Sequence, residues 1–294
     1  MSTIRTSLPT AAFVLLAASL SAQDKPQPPK ILRIVEENVK AYKGAAHEKN
    51  EMAWATANAA ADSKAYYVAL VPSTGGTTVV YLQGFQSYAD IERAGNAAAK
   101  VPGLQARIDA ITDKDAEYVT SVRTMQAQFR ADLSCCGPTD HSKVHGYRLT
   151  TYRVRIGHTA EFEEARKLAK AVTEKANPDS RLGVFSVTQG VTVPTYIVFR
   201  PFTSLSEFDG DSARDANVAA QTTAEDRAKV EKLYESSLIS REQAVYMISP
   251  KQSYIPVNFA DSDPFWKTNP VIAAANAKKE NVAQAGAPKR TKKQ

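Results

Sequence analysis

The chain has 294 residues, 43% of them hydrophobic, and a formal net charge of +6. That excess is terminal. Arg5 is the only charge in residues 1–22, and Lys278, Lys279, Lys289, Arg290, Lys292 and Lys293 stand against Glu280 alone in residues 277–294, so residues 23–276 are neutral. A basic groove for nucleic acid is therefore not supported, and no apolar run reaches the length of a membrane-spanning helix.

Arg5, the apolar run at residues 11–18 and the small residues Ser19, Ser21 and Ala22 read as a signal peptide over residues 1–22. The expectation is an exported, soluble protein, periplasmic or extracellular. A first unit covers residues 30–134. Its opening stretch, Ile31–Val39, has apolar residues on both alternating faces and predicts a strand. Residues 44–61 are Ala-rich and predict a helix. Strands at 66–71 and 77–85 flank the turn Pro72-Ser73-Thr74-Gly75-Gly76 and form a hairpin. Residues 88–125 read as helical with a break at Pro102-Gly103, Thr112 capping the last helix. A short fourth strand is expected at 129–133, followed by a linker at 135–146.

The second unit covers residues 147–250. A strand at 147–156 leads into an amphipathic helix at 159–177, whose stripe is Phe162, Ala165, Leu168, Ala169 and Val172. A hairpin of 182–188 and Thr195–Phe202 follows. A helical region from Ser206 includes a capping box opening at Thr222, and residues 246–248 close the unit. Residues 251–276 read as an arm anchored by Trp266. Residues 277–294 are a basic tail with no aromatic residue, expected to be disordered.

The two units repeat at an offset of 117 residues. Val80-Tyr81-Leu82-Gln83-Gly84-Phe85 aligns with Ile197-Val198-Phe199-Arg200-Pro201-Phe202, Tyr66 to Leu70 with Gly183 to Val187, and Phe129 with Tyr246. Each unit reads β-α-β-β-α-β, the ferredoxin-like order. The fold class expected is α+β: two tandem ferredoxin-like units packed as a pseudo-dimeric α+β barrel, each sheet hiding the other's apolar face.

The opening Tyr152-Arg153-Val154-Arg155-Ile156-Gly157-His158-Thr159-Ala160-Glu161-Phe162 and the passage from Val198 to Phe208, which recurs at Tyr81 to Ile91, resemble the dimeric α+β barrel superfamily in its tandem-repeat form. That group includes antibiotic-biosynthesis-monooxygenase-like, EthD-like and NIPSNAP-like proteins. The resemblance covers roughly residues 30–250 and implies a fold; the activities found on that fold are diverse.

Candidate chemistry is sparse. The linker gathers Cys135, Cys136, Asp140, His141 and His145. Cys135, Cys136, His141 and His145 are ligand types that suit zinc. Adjacent cysteines seldom chelate one ion, and in an exported chain a disulfide, within the pair or between chains, is the favoured reading. His158, at a strand-helix turn, is a candidate general base. Tyr66, Tyr81, Tyr152 and Tyr196 fall in strands, where packing is the expected role and lining a pocket for an aromatic ligand is the alternative. His47 aligns with Glu164 and is expected on an exposed helix face. The sequence has no G-x-S-x-G, H-E-x-x-H or G-x-G-x-x-G.

The functional expectation is a non-catalytic module that binds a small apolar ligand or serves a structural role, with no resident cofactor and with self-association into a homodimer open. The alternative is an oxygenase-like enzyme, cofactor-free or haem-dependent, using His158 and the tyrosines.

Overall fold

A computed structural model describes residues 28–273. The expected signal peptide at 1–22, the end of the arm and the basic tail lie outside the described residues.

In chain order the elements are β1 (Ile31–Val39), α1 (Gly44–Ala60), β2 (Val68–Pro72), β3 (Thr78–Phe85), α2 (Tyr88–Ala99), α3 (Leu104–Asp115) and β4 (Val119–Phe129), then β5 (Gly146–Val154), α4 (Thr159–Ala176), β6 (Gly183–Gln189), β7 (Thr195–Phe202), α5 (Asp211–Ala220), α6 (Ala224–Ser237) and β8 (Leu238–Ile248). The strands form one closed barrel in the order β1-β3-β2-β8-β5-β7-β6-β4, all neighbours antiparallel. The halves meet edge to edge, β2 on β8 at Leu70 and Ile248, and β4 on β6 at Ala127 and Val187. Closure leaves no unpaired sheet edge.

Strand alternation then sorts side chains into two environments. Leu32, Ile34, Leu70, Val80, Met125, Leu149, Phe185, Ile197 and Phe199 face the interior. Residues one step along each strand face outward. Val39, Ala69, Val79 and Tyr81 form one outer cluster. Tyr152, Val154, Val184, Tyr196 and Val198 form another around Phe162 of α4.

The pairing registers refine the repeat. Leu70 sits opposite Val80, and Phe185 opposite Ile197. Val80 and Ile197 are 117 apart, so Leu70 corresponds to Phe185 at 115. Ile34 and Leu149 are likewise 115 apart, while their partners Met125 and Ala244 are 119 apart. Tyr246 thus corresponds to Ala127, not Phe129, and Tyr66 to Leu70 do not match Gly183 to Val187. The differences sit in longer connections in the second half.

Three sequence expectations are corrected. The fourth strand is β4, Val119–Phe129, not 129–133, and the helix before it ends at Asp115, so Thr112 lies in its last turn. The outward face of β4 at Thr120, Val122 and Thr124 is exposed, which removed the apolar alternation that marks a covered strand. The closing strand β8 begins at Leu238 for the same reason. The capping box of α6 opens at Thr223, with Asp226 as its reciprocal partner, one residue later than expected.

The arm pins one end of the barrel. Tyr254 bridges to Tyr67, and Trp266 is fully buried with Nε1 donating to the Ser142 carbonyl at 2.7 Å. Phe259 and Phe265 pack edge-on against it. Gly190 is required after β6: its φ is +88°, and a Cβ there would run into the Thr124 carbonyl. Trp266→Ala should lower unfolding free energy by about 3–5 kcal/mol in a urea titration, the cost of emptying a buried aromatic site; a loss under about 1 kcal/mol would mean the arm contributes little to the barrel.

Candidate functional site

The barrel holds an apolar chamber of about 590 Å³ at the end where the linker and the arm meet. Leu32, Val68, Leu82, Phe185, Phe199 and Ile248 supply its walls. The volume falls within the roughly 300–1,000 Å³ of small-molecule sites. These walls come from inward positions of six strands, so they follow directly from barrel closure.

The rim carries polar side chains, Ser134, Thr139, Lys170 and Glu174 among them, and one hydrogen-bonded pair. His141 Nδ1 lies 2.8 Å from the Tyr147 hydroxyl. Tyr147 is an inward residue of β5, almost wholly buried, and burial holds its hydroxyl protonated well above the ordinary tyrosine range. Burial also lowers the His141 pKa, outweighing the opposing charge of Asp140. His141 is crowded by protein atoms but keeps an exposed surface, and it is one of the residues lining the chamber. The result is a neutral imidazole hydrogen-bonded to a protonated phenol at the edge of an apolar space.

Cys135 and Cys136 line the same rim, joined as an adjacent disulfide. Cys135 is tied to the edge of the sheet by reciprocal backbone hydrogen bonds with Leu182, at 2.9 and 3.3 Å. Cys136 and Gly137 follow with φ of 70° and 90°, turning the chain over the opening.

The linker set does not converge as four zinc ligands. His145 is drawn away: its Nε2 lies 2.9 Å from Asp263 Oδ2, and its ring stacks on Phe265 at 4.2 Å. Both cysteines are consumed in their mutual bond. The arm, which sequence reading left without polar function, accounts for this separation.

The four tyrosines do not line the interior. Tyr81 faces α1. Tyr152 and Tyr196 lie opposite each other in β5 and β7 and pack on Phe162, with ring centroids at 5.3 and 4.6 Å. The Tyr196 hydroxyl donates to Glu163 at 2.6 Å. Tyr66 packs on Tyr254 at 5.0 Å. Shifting the assumed face by one residue moves a whole strand from core to helix side; the inward tyrosines are Tyr147 and Tyr246.

His158 sits at the residue before α4 without a side-chain capping hydrogen bond, partly exposed, its Nδ1 3.4 Å from Glu161. The space beneath α4 is filled by Phe162, Tyr152 and Tyr234. These residues do not fit a haem macrocycle, and no chemistry is assigned through one.

The opposite end of the barrel opens into a more polar space of about 800 Å³. There Glu36 accepts from Arg123 Nε at 3.0 Å, and Arg153 lies 3.7 Å from Glu242. Phe199 lines both spaces.

A scan against protein-family models and a search of curated proteins find no match. Solved structures similar to this chain include an anthrone oxidase-like protein (14% identity, TM-score 0.49, covering 75% of this chain and 92% of that one). A monooxygenase-like protein of Lactobacillus acidophilus aligns at 12% identity and TM-score 0.46, over 76% and 94%. A mutant chlorite dismutase of Candidatus Nitrospira defluvii aligns at 11% and 0.46, over the same shares. No residue role or activity transfers at such identities.

The His141 environment has a measurable consequence. Its folded pKa lies below the ordinary value of about 6.5, so the unfolded chain binds the proton first and stability falls as pH drops below about 6.5. Urea midpoints of wild type and His141→Gln compared from pH 7.5 to 5 should converge or cross as the wild type loses this contribution. A constant difference across that range would contradict a His141 that resists protonation in the folded state.

Proposed function

We propose that this chain is an exported binding protein whose barrel chamber takes a small, largely apolar ligand carrying one hydroxyl or similar polar group. The observation that carries the reading is a mostly apolar 590 Å³ chamber with a hydrogen-bonded pair, His141 and Tyr147, among the polar side chains of its rim. Apolar walls supply affinity in proportion to buried area, and a single polar pair orients the ligand. A neutral imidazole accepts or donates a hydrogen bond without the desolvation cost of a charge. The barrel closes within one chain, so one ligand is expected per monomer.

We further propose that the halves are tandem ferredoxin-like copies, on the matching element order and registers, and that residues 1–22 direct export. N-terminal sequencing of protein recovered outside the cytoplasm should begin near Gln23; a retained Met1 would remove the export reading.

The test of binding uses 2-naphthol, followed by its fluorescence. Saturable one-to-one binding is expected. Leu82→Trp, which fills the chamber, should weaken it about tenfold or more. His141→Phe should weaken 2-naphthol by about three- to tenfold, the worth of one hydrogen bond, and leave naphthalene unchanged. No saturable binding, or binding indifferent to Leu82→Trp, would overturn the reading.

A second reading is favoured by the same neutral ring: His141 accepts the proton of a phenolic ligand, O2 adds to the ring carbon beside the phenolate oxygen as a hydroperoxide, and loss of water breaks its O–O bond to leave the quinone, so that one naphthol and one O2 give one naphthoquinone and one water. It requires oxygen uptake with 2-naphthol that His141→Phe abolishes; absence of uptake leaves binding alone.

A further inference from the structure

A second site lies on the other face of the sheet, beneath α1, and is independent of the chamber. Glu37 is on the outward side of β1. His47 and Glu51 stand one turn apart on α1, and Asp115 ends α3. His47 was expected on an exposed face; it is 1% exposed, and Glu51 and Asp115 are 6% and 7% exposed. The His47 Nε2 is 2.9 Å from Glu37 Oε2 and 3.9 Å from Asp115 Oδ1. One ligand atom from each of the four residues lies within 4.8 Å of every other.

The group is unbalanced in charge. Among the described residues, His47 is the only basic side chain within ion-pair reach of the three carboxylates. Burial, then the charges of Glu37 and Asp115, push the Glu51 pKa up to about 8. Taking carboxylates out of water without a matching cation costs several kcal/mol each. The Tyr67 hydroxyl is also buried beside the group without a hydrogen-bond partner, and its strongest charged neighbours are Glu51 and Glu37. Buried polar atoms of this kind are rare unless something else satisfies them.

The fold does not need this arrangement, and the second half provides the comparison. A register shift falls at Asn38/Val39 in one half and at Arg153/Val154 in the other, with Val39 opposite Val119 and Val154 opposite Leu238. By that correspondence Glu37, His47 and Glu51 match Tyr152, Phe162 and Arg166, and Asp115 matches Tyr234. There the same space is closed by packed rings, Tyr152 to Phe162 at 5.3 Å and Phe162 to Tyr234 at 6.1 Å. An aromatic plug serves one half; the other half carries four ligating side chains in its place.

We propose that Glu37, His47, Glu51 and Asp115 form a binding site for one divalent metal ion. A +2 ion offsets two of the three carboxylates. One imidazole nitrogen and three carboxylate oxygens suit Mn²⁺, Fe²⁺ or Zn²⁺, whereas Cu⁺ seeks the sulfur ligands that are missing from the group. Outer contacts are already in place to orient it. Asn50 donates to Asp115 Oδ1 at 3.2 Å and to the Ile111 carbonyl at 3.0 Å. The Tyr81 hydroxyl, beside Glu51, donates to Gln252 at 3.3 Å. Such supporting contacts fix ligand geometry and affinity.

The test uses the full chain stripped with a chelator, then titrated calorimetrically with MnCl₂ and, separately, ZnCl₂, with bound metal counted by mass spectrometry. One ion per chain is expected, with a raised thermal midpoint. Glu51→Gln and Asp115→Asn, each confirmed folded by circular dichroism, should weaken binding about tenfold or more. The His141→Gln/His145→Gln double variant should bind as wild type, which separates this site from the linker. Failure of folded wild type to take up either ion would show that the Glu51 proton alone balances the group and would overturn the proposal. Unchanged affinity in both Glu51→Gln and Asp115→Asn, or loss in the linker variant, would overturn it equally.

Discussion

Closure of the sheet within a single chain is the constraint on which everything else rests. The seams β2–β8 and β4–β6 convert two four-stranded halves into one barrel. Once they form, each strand has an inner face that must fill a tube and an outer face that must meet helices. Every position's role is then fixed by whether it is odd or even along its strand. A break in either seam would expose two edges and the interior core together.

The two faces hold two different kinds of chemistry. Inside, apolar side chains leave space at the linker end, and His141 and Tyr147 place one hydrogen-bonding pair at its rim. Outside, the halves diverge. The second half seals the space between sheet and helices with Phe162 and its tyrosines. The first half places a histidine and three carboxylates there. Matching backbone registers with opposite side-chain chemistry separate what the fold requires from what it carries. Packed rings suffice for stability, so the buried charges beneath α1 call for a ligand.

Much of the fold was legible in the sequence because strand and helix periods differ. Ile31–Val39, α1, α4 and the two hairpins follow from alternation, Ala-richness, the Phe162 stripe and turn residues. The inner face was not legible. Strands covered on both sides read as unbroken apolar runs; Tyr196, Ile197, Val198 and Phe199 are all buried, and nothing in that string tells inside from outside. Hence the sequence left open whether the tyrosines pack or line a pocket, and the packing role is the one they take. His47 was misplaced for the converse reason, since a buried polar residue has the same letters as an exposed one. The linker's importance was visible in its Cys and His content, but the pull of Asp263 on His145 came from 118 residues away and left no local trace. The arm's Trp266 was legible as an anchor because an isolated large aromatic in Pro-punctuated sequence has few other uses.

Inward positions of the barrel strands are proposed to enclose a space that receives a ligand beside His141. A crystal structure grown with 4-iodophenol addresses it directly through the anomalous signal of iodine. The account predicts a peak inside the barrel between Phe185 and Phe199, with the phenol oxygen toward the His141–Tyr147 pair. A barrel interior filled by side chains, or iodine bound only between sheet and helices, would contradict it.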